Sequence, residues 1–286
     1  MRFGFVDEHR KVWPVRLMCT VLGLSASGYY AWRGRPASAR AQANAALSED
    51  IRRIHAQSHG TYGSPRIYAV LRGHGRRIGR SRIERLMRRA GLRGLAALPR
   101  RARTTDSRHG YPIAPNRLAR NFTAARPNQV WLADLTYIPT GEGWLYLAAI
   151  LDMHTRKIVG WCMRQTLHAE IAIDALTMAI ERQRPAPGLI HHSDRGIQYA
   201  AEAYRQTLAT SGISPSMSRK GDCWDNAPME SFFHTLKTER VHHPVYATRD
   251  HARRDLFQYI EGFYNPRRLH SALGYISPAE AECRAA

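Results

Sequence analysis

Between residues 130 and 241 the apolar residues form a succession that few architectures can accommodate: three strand-like runs in a row, then helix and strand in alternation. Val130 to Ile138 reads Val-Trp-Leu-Ala-Asp-Leu-Thr-Tyr-Ile, rich in β-branched and aromatic residues. Thr140-Gly141-Glu142-Gly143 supplies a hairpin turn, and Trp144 to Leu151 and Lys157 to Met163 follow as second and third strands. Ala169 to Arg184 carries helical spacing through Ile171, Ala175, Leu176 and Ile180, and Pro185 and Pro187 end it. Leu189 to His191 reads as a short buried strand. Tyr199 to Ser211 reads as a helix closed by Gly212, and Ile213 to Met217 as a fifth strand. A polar loop, Ser218 to Trp224, leads to a helix capped by Asp225 or Asn226, with Pro228 in its first turn and an end near Val241. The order β-β-β-α-β-α-β-α implies a mixed five-stranded sheet flanked by helices.

Residues 1–120 are built differently. They hold 25 Lys+Arg against 6 Asp+Glu, whereas residues 121–286 hold 18 against 17, so nearly all of the formal net charge of +20 sits in the first part. A GC-rich coding sequence accounts for arginine in place of lysine but not for acids missing from one half only. A polyanion, nucleic acid first, is the partner this implies. Two segments read as helix-turn-helix units. Pro14 opens a helix with Val15, Met18, Cys19 and Leu22 on one face, Gly23-Leu24 turns, and Ser25 caps a second helix from Ala26 to Trp32. Ser64 and Pro65 then read as an N-cap and first-turn pair, and Ser81-Arg82-Ile83-Glu84 as a capping box. The helix that follows turns Ile83, Leu86 and Met87 inward and Arg82, Arg85, Arg88 and Arg89 outward, ending at Gly91, a pattern suited to a DNA groove. A solvated surface helix usually mixes both charge signs, yet Glu84 is the only acid between Arg72 and Arg93. The domains expected are 1–45 helix-turn-helix, 46–95 second basic helical region, 96–126 linker lying along DNA or another subunit, 127–241 α/β core and 242–286 helical tail.

Three carboxylates stand where a carboxylate needs a reason. Asp134 interrupts the apolar first strand, where burial is costly unless the group is paired, hydrogen-bonded or bound to metal. Asp194 follows the fourth strand in His191-His192-Ser193-Asp194-Arg195-Gly196, at the carboxyl edge where open α/β sheets place chemistry. Glu230 shares one face of the late helix with His234 and Lys237, while Met229, Phe232, Phe233 and Leu236 form its core side. Each has an ordinary reading: a turn partner, an N-cap, a helix-dipole partner.

These residues resemble a known family. Leu22-Gly23-Leu24-Ser25-Ala26-Ser27-Gly28-Tyr29-Tyr30-Ala31-Trp32, Gly60-Thr61-Tyr62-Gly63-Ser64-Pro65-Arg66-Ile67, Trp131-Leu132-Ala133-Asp134-Leu135-Thr136-Tyr137, His192-Ser193-Asp194-Arg195-Gly196, and Ser216-Met217-Ser218-Arg219-Lys220-Gly221 running into Asp225-Asn226-Ala227-Pro228-Met229-Glu230-Ser231-Phe232-Phe233 are similar to the OrfB-type transposases of the insertion-sequence-three family. Tyr264-Asn265 with Arg268, His270 and Ser277-Pro278 matches that family's C-terminal signature. Ile197 departs from it, standing where a small polar residue is more usual. The resemblance implies an RNase-H-like, retroviral-integrase-like core and a catalytic triad of Asp134, Asp194 and Glu230, with Lys237 as the basic residue seven positions on. Unlike retroviral integrase, the chain has no paired His and Cys ligands for an N-terminal zinc site.

A carboxylate set without cysteine suits Mg²⁺ or Mn²⁺ better than zinc, and two ions would serve an in-line phosphoryl displacement. Asp134 is expected to bridge both ions, and Lys237, Arg219 and Lys220 to touch phosphate. The partners implied are double-stranded DNA at element ends and target, a homo-oligomer on that DNA, and an upstream OrfA-type protein, separate or fused by frameshifting. The alternatives are a non-catalytic DNA-binding regulator or inactive fragment, and a general nuclease acting on RNA hybrids. The longest apolar stretch, Trp144 to Leu151, is about half of what a bilayer needs, the four cysteines form no CxxC, and no signal-peptide core opens the chain. A cytoplasmic, nucleoid-associated location is therefore expected.

Overall fold

The computed structural model describes residues 2–95, 110–219, 223–242 and 245–285. Lys220 and the basic run Arg100-Arg101-Ala102-Arg103 lie outside them. The chain opens with a three-helix unit: α1 (Arg2–His9), α2 (Val15–Val21) and α3 (Ala26–Arg33). Its small core is Val6, Met18, Cys19 and Tyr29, and the Ser25 side chain caps α3 by accepting from the Gly28 N–H as expected. The sequence reading missed α1 and the longest helix of the region, α4 (Ala39–Gln57), which runs through residue 45 without a break. Its inner residues Leu47, Ile51 and Ile54 pack with α5 (Ser64–Gly73) and α6 (Arg80–Arg89).

Two predicted caps fail for one reason: each helix starts earlier than its capping motif allows, α5 by one residue and α6 by two. Gly63, not Ser64, precedes α5, and the Ser64 hydroxyl donates to the Glu84 carboxylate at 3.2 Å. Gly79 precedes α6, and Glu84 accepts from Arg80 Nε at 2.8 Å instead of closing a capping box with Ser81. The apolar face of α6 is as expected, with Ile83, Leu86 and Met87 buried, and Gly91 follows the helix with φ +67°.

The second half is the expected mixed five-stranded sheet: β1 (Val130–Thr140), β2 (Gly143–Asp152), β3 (Ile158–Arg164), β4 (Ile190–Ser193) and β5 (Ser214–Met217), in the order β3-β2-β1-β4-β5. The β1–β2 and β2–β3 pairs are antiparallel, and β1–β4 and β4–β5 are parallel. Strand alternation divides β1 between two cores. Trp131 and Ala133 face α7 (Glu170–Gln183) and α9 (Glu202–Thr210), with Ile171, Ala175, Leu176 and Leu208. Leu132 and Ile138 face the other side, covered by α10 (Ala227–Leu236) through Met229, Phe232, Phe233 and Leu236. Gly160 permits the closest helix–sheet approach, since a Cβ there would sit 2.2 Å from the Ala175 carbonyl oxygen.

The single helix expected over Tyr199–Ser211 is two, α8 (Ile197–Ala200) and α9, because Ala201 between them is extended (φ −59°, ψ 143°). The helix of α10 continues in wider π-type turns through Lys237–Val241. The tail packs back as expected through Leu256, Ile260 and Phe263, on α11 (Arg249–Phe257) and its continuation to Tyr264, and α12 (Pro278–Ala285) ends the chain. Residues 112–117 of the expected linker lie against the core. Pro112 to Pro115 cover His191 and Tyr204, and the Arg117 N–H donates to Ser216 Oγ at 2.9 Å. Among the described residues no helix is long and apolar enough to cross a membrane.

Candidate active site

The last β1–β4 pair is Leu132 opposite His192. Two residues further on stand Asp134, still within β1, and Asp194, in the turn just past the end of β4, so the parallel register leads the two toward the same edge of the sheet. Asp134 belongs to the face of β1 that α10 covers. The Asn226 side-chain amide donates to the Ala133 carbonyl at 3.0 Å and pins the start of α10 beside Asp134. Glu230 follows one helical turn later and Lys237 two turns after that.

The electrostatics reflect this placement. Asp134 is held well above the usual carboxylate range, first by desolvation and then by the negative charges of Asp194 and Glu230; the Leu135 N–H, donating to Asp134 Oδ1 at 2.7 Å, and the Lys237 ammonium oppose the rise. Glu230 is also raised by loss of solvent, although its side chain reaches the surface. Burial lowers Lys237, and the charge of Asp134 works against that lowering. Asp194 Oδ1 accepts from the Gly196 N–H at 2.9 Å, which fixes the turn after β4. The structure therefore brings Asp194, Glu230 and Lys237 each within electrostatic reach of Asp134. Among the described residues, however, no three His, Cys, Asp or Glu side chains close into a ready-made metal cluster.

Several residues around this site were missed or misread in the sequence. Asp225 is no helix cap but a fully buried clamp. It accepts from the Arg219 backbone N–H (2.9 Å), Arg219 Nε (3.0 Å) and Nη2 (2.8 Å), Arg120 Nε (3.1 Å) and Asn116 Nδ2 (2.9 Å). These cations hold its carboxyl far below the usual range. Arg219, expected at phosphate, thus has its guanidinium committed to Asp225. Asn226 does not cap α10 through its side chain either. Its Oδ1 is buried with no hydrogen-bond partner among the described residues.

His192 anchors the turn that carries Asp194. Since the Ser218 hydroxyl hydrogen is used on the Ser193 carbonyl, Ser218 Oγ accepts from His192 Nε2–H (3.2 Å), which leaves Nδ1 of the neutral imidazole to accept from the Ser216 hydroxyl (2.8 Å). The Ser218 hydroxyl donates onward to the Ser193 carbonyl (3.3 Å), and Arg195 Nε donates to the Ser218 carbonyl (2.6 Å). The run of serines around a histidine was visible in the sequence, but the pairing of β4 with β5 that joins them was not.

Further out, Glu239, on the continuation of α10, accepts from Arg268 Nε (2.9 Å) and Nη2 (2.6 Å) and from the Tyr259 hydroxyl (2.8 Å), all buried. Asn265 behaves as a strand partner for β3, accepting from the Ile158 N–H and donating to its carbonyl, both at 2.9 Å. Asn265 and Arg268 of the C-terminal signature are thus structural staples. On α6, Arg85, Arg88 and Arg89 are exposed as expected, whereas Arg82 is half-buried and donates Nε to Asn44 Oδ1 at 2.9 Å.

Comparison with known proteins accords with this geometry. Integrase core domain models match residues 124–223 and 211–278, and an HTH-like domain model matches residues 42–102. The first of these spans Asp134 and Asp194, and the second core match spans Glu230. The catalytic core domain of HTLV-2 integrase, solved in complex with magnesium, is 14% identical, with a TM-score of 0.39 over 56% of this chain and 98% of that one. The insertion element IS600 uncharacterized 31 kDa protein of Shigella sonnei is 48% identical over 92% of this chain and 96% of its own length. Transposase InsF for insertion sequence IS3A of Escherichia coli (strain K12) is 38% identical over 99% of this chain and 98% of its own. Identity of that order, carried across helical region, sheet and tail alike, means that the chain belongs to the IS3 family of insertion-sequence transposases and contains an integrase core.

Proposed function

We propose that Asp134, Asp194 and Glu230 are the catalytic triad of a DNA transposase that cuts strands at element ends and joins them to target DNA. The observation that carries this reading is the state of Asp134: a carboxylate kept in a desolvated strand beside two further carboxylates, its pKa raised by all three effects. Such an arrangement is costly in an unliganded protein and relieved by a divalent cation. The donor set fits one. It is all oxygen, it comes from β1, the turn after β4 and the covering helix, and Asn226 adds a buried oxygen without a partner among the described residues. Mg²⁺ or Mn²⁺ suits these hard ligands. Asp134, Asp194 and Glu230 would hold the ions, and ions bound there would stabilise charge on the attacking and leaving oxygens of an in-line displacement.

The chain's own groups orient the substrate. Lys237, half-buried next to Asp134, faces the negative charge of a phosphodiester drawn into the site. The Asp225 clamp holds Arg219 in the loop between β5 and α10, and the His192–Ser218 chain holds the Asp194 turn. In cleavage, water forms a new P–O bond as the bond to the 3′ oxygen breaks. In joining, that freed 3′-OH attacks a target phosphodiester, whose own 3′ oxygen leaves, so the number of phosphodiester bonds is conserved. No covalent enzyme intermediate is required, and positioning supplies much of the rate. Arg85, Arg88 and Arg89 on α6, with Arg82 beside them, form a DNA-binding face. A homo-oligomer on paired ends, and an upstream OrfA-type partner, complete the proposal.

The test is a nicking and joining assay on element-end DNA with Mg²⁺, comparing wild type with Asp134→Asn and Glu230→Gln. Losses of several hundredfold or more are expected, and activity within about tenfold of wild type would reject the triad. Neutralising Arg82, Arg85, Arg88 and Arg89 together should weaken DNA binding and flatten its salt dependence, whereas an unchanged salt slope removes α6 from the interface.

A further inference from the structure

β4 ends at Ser193, level with Ala133, but β1 continues to Thr140 paired with β2, and its end is bridged to Tyr246 of the tail at Thr140. A two-stranded ribbon therefore projects past the carboxyl end of β4, on the side where Asp194 stands. On one face of this ribbon three aromatic rings meet. Tyr137 lies directly opposite Tyr146, with ring centroids 5.2 Å apart and planes at 72°. Trp144, two residues before Tyr146, meets Tyr137 edge-on at 6.0 Å and 86°. α7 covers the same face nearer its middle, at Trp131 and Ala133, but Trp144 stays 52% exposed. Burial raises the Tyr137 phenol, and so do the nearby charges of Tyr146, Asp194 and Asp134, so the phenol lies within electrostatic reach of both carboxylates although its side chain is on the opposite face of β1 from that of Asp134.

Trp144 is more than half exposed at the rim of this face, while Tyr137 and Tyr146 are partly buried behind it, so its ring offers a flat apolar surface to a ligand. Duplex DNA presents phosphates and groove edges there, whereas an unpaired base presents its π-face. We infer that the Tyr137–Trp144–Tyr146 cluster is a stacking platform for an unpaired nucleobase at the DNA end, holding the strand terminus beside Asp194. Trp144 is the stacking ring and Tyr137 and Tyr146 are its support. The inference rests on the DNA reading above and adds to it a site for single-stranded ends.

The experiment uses the full chain in EDTA, so that DNA is bound and not cut. The probes are a short fluorescein-labelled duplex with a single-stranded thymidine extension and the same duplex blunt, read by anisotropy. Wild type should prefer the extended duplex. Trp144→Ala should lose about tenfold on it while keeping its affinity for the blunt one, because a stacked base is worth one such factor or more. Trp144→Phe, which keeps a ring, should recover most of the loss. Equal losses on both probes, or no loss on either, would overturn the platform while leaving the DNA reading standing. A wild-type chain that binds neither probe would overturn both.

Discussion

Asp225 gives the sharpest test of how the site is held. Its carboxylate is 0% exposed and accepts from Arg219, Arg120 and Asn116, tying the linker and the β5–α10 loop to the start of the helix that bears Glu230. Asp225→Asn keeps the volume but removes the charge and turns an NH₂ toward guanidinium donors. A charge-assisted bond contributes about 1.5–3 kcal/mol. Because the Arg219 and Arg120 side chains are 53% and 47% exposed, solvent screens part of the ion-pair contribution. A net loss of about 2 kcal/mol is therefore expected, which opens the loop roughly 30-fold more often. Hydrogen exchange read by mass spectrometry should show that loss of protection at residues 217–219 and 223–226, with β1 and β2 unchanged. The acid side follows the same logic. The folded pKa lies below the unfolded one, so the stabilisation is complete above about pH 4 and is lost as the pH falls further. Protection in Asp225→Asn within about threefold of wild type would refute the clamp.

Other perturbations probe the scaffold. Glu239→Gln leaves Arg268, only 5% exposed, without its counter-charge; a loss of about 3–5 kcal/mol is expected, seen as a fall in Tm of roughly 10 °C, and Arg268→Met in the same chain should restore part of it. Gly160→Ala drives a Cβ into the Ala175 carbonyl and Ala179, costing about 1–3 kcal/mol or more, so a Tm equal to wild type would show that α7 can withdraw from β3. Burial lowers His191 to about 3 and His270 to about 4, below the ordinary histidine value. Both stay neutral in the fold while the unfolded chain takes up protons, so their contribution is complete above about pH 6.5 and declines as the pH falls toward 4. The urea midpoint of His270→Gln should accordingly depend less on pH than wild type over that window.

Much of the core was legible because its strands are written in apolar and β-branched residues with clear turns between them. Asp134 stood out because a carboxylate inside such a run needs a reason, and Asp194 because it follows a strand end. What stayed hidden depended on partners distant in sequence. Asp225 and Asn226 look like capping residues locally, yet the Asp225 carboxylate is claimed by Arg219 and Arg120, and the Asn226 amide by Ala133. Ser64 and Ser81 satisfy cap patterns, but Gly63 and Gly79 already supply the extended residue before each helix. α4 escaped notice because Leu47, Ile51 and Ile54 are thinly spread in an Ala- and Arg-rich stretch, and they read as a core face only once α5 and α6 are packed on them.

Diffraction at the manganese absorption edge, from the protein crystallised with Mn²⁺ and element-end DNA, tests most directly whether these carboxylates form a metal site. The account predicts anomalous peaks about 2.1 Å from oxygens of both Asp134 and Asp194, with Glu230 drawn in to complete the set. Manganese bound elsewhere, with the three side chains still apart around DNA, would contradict it.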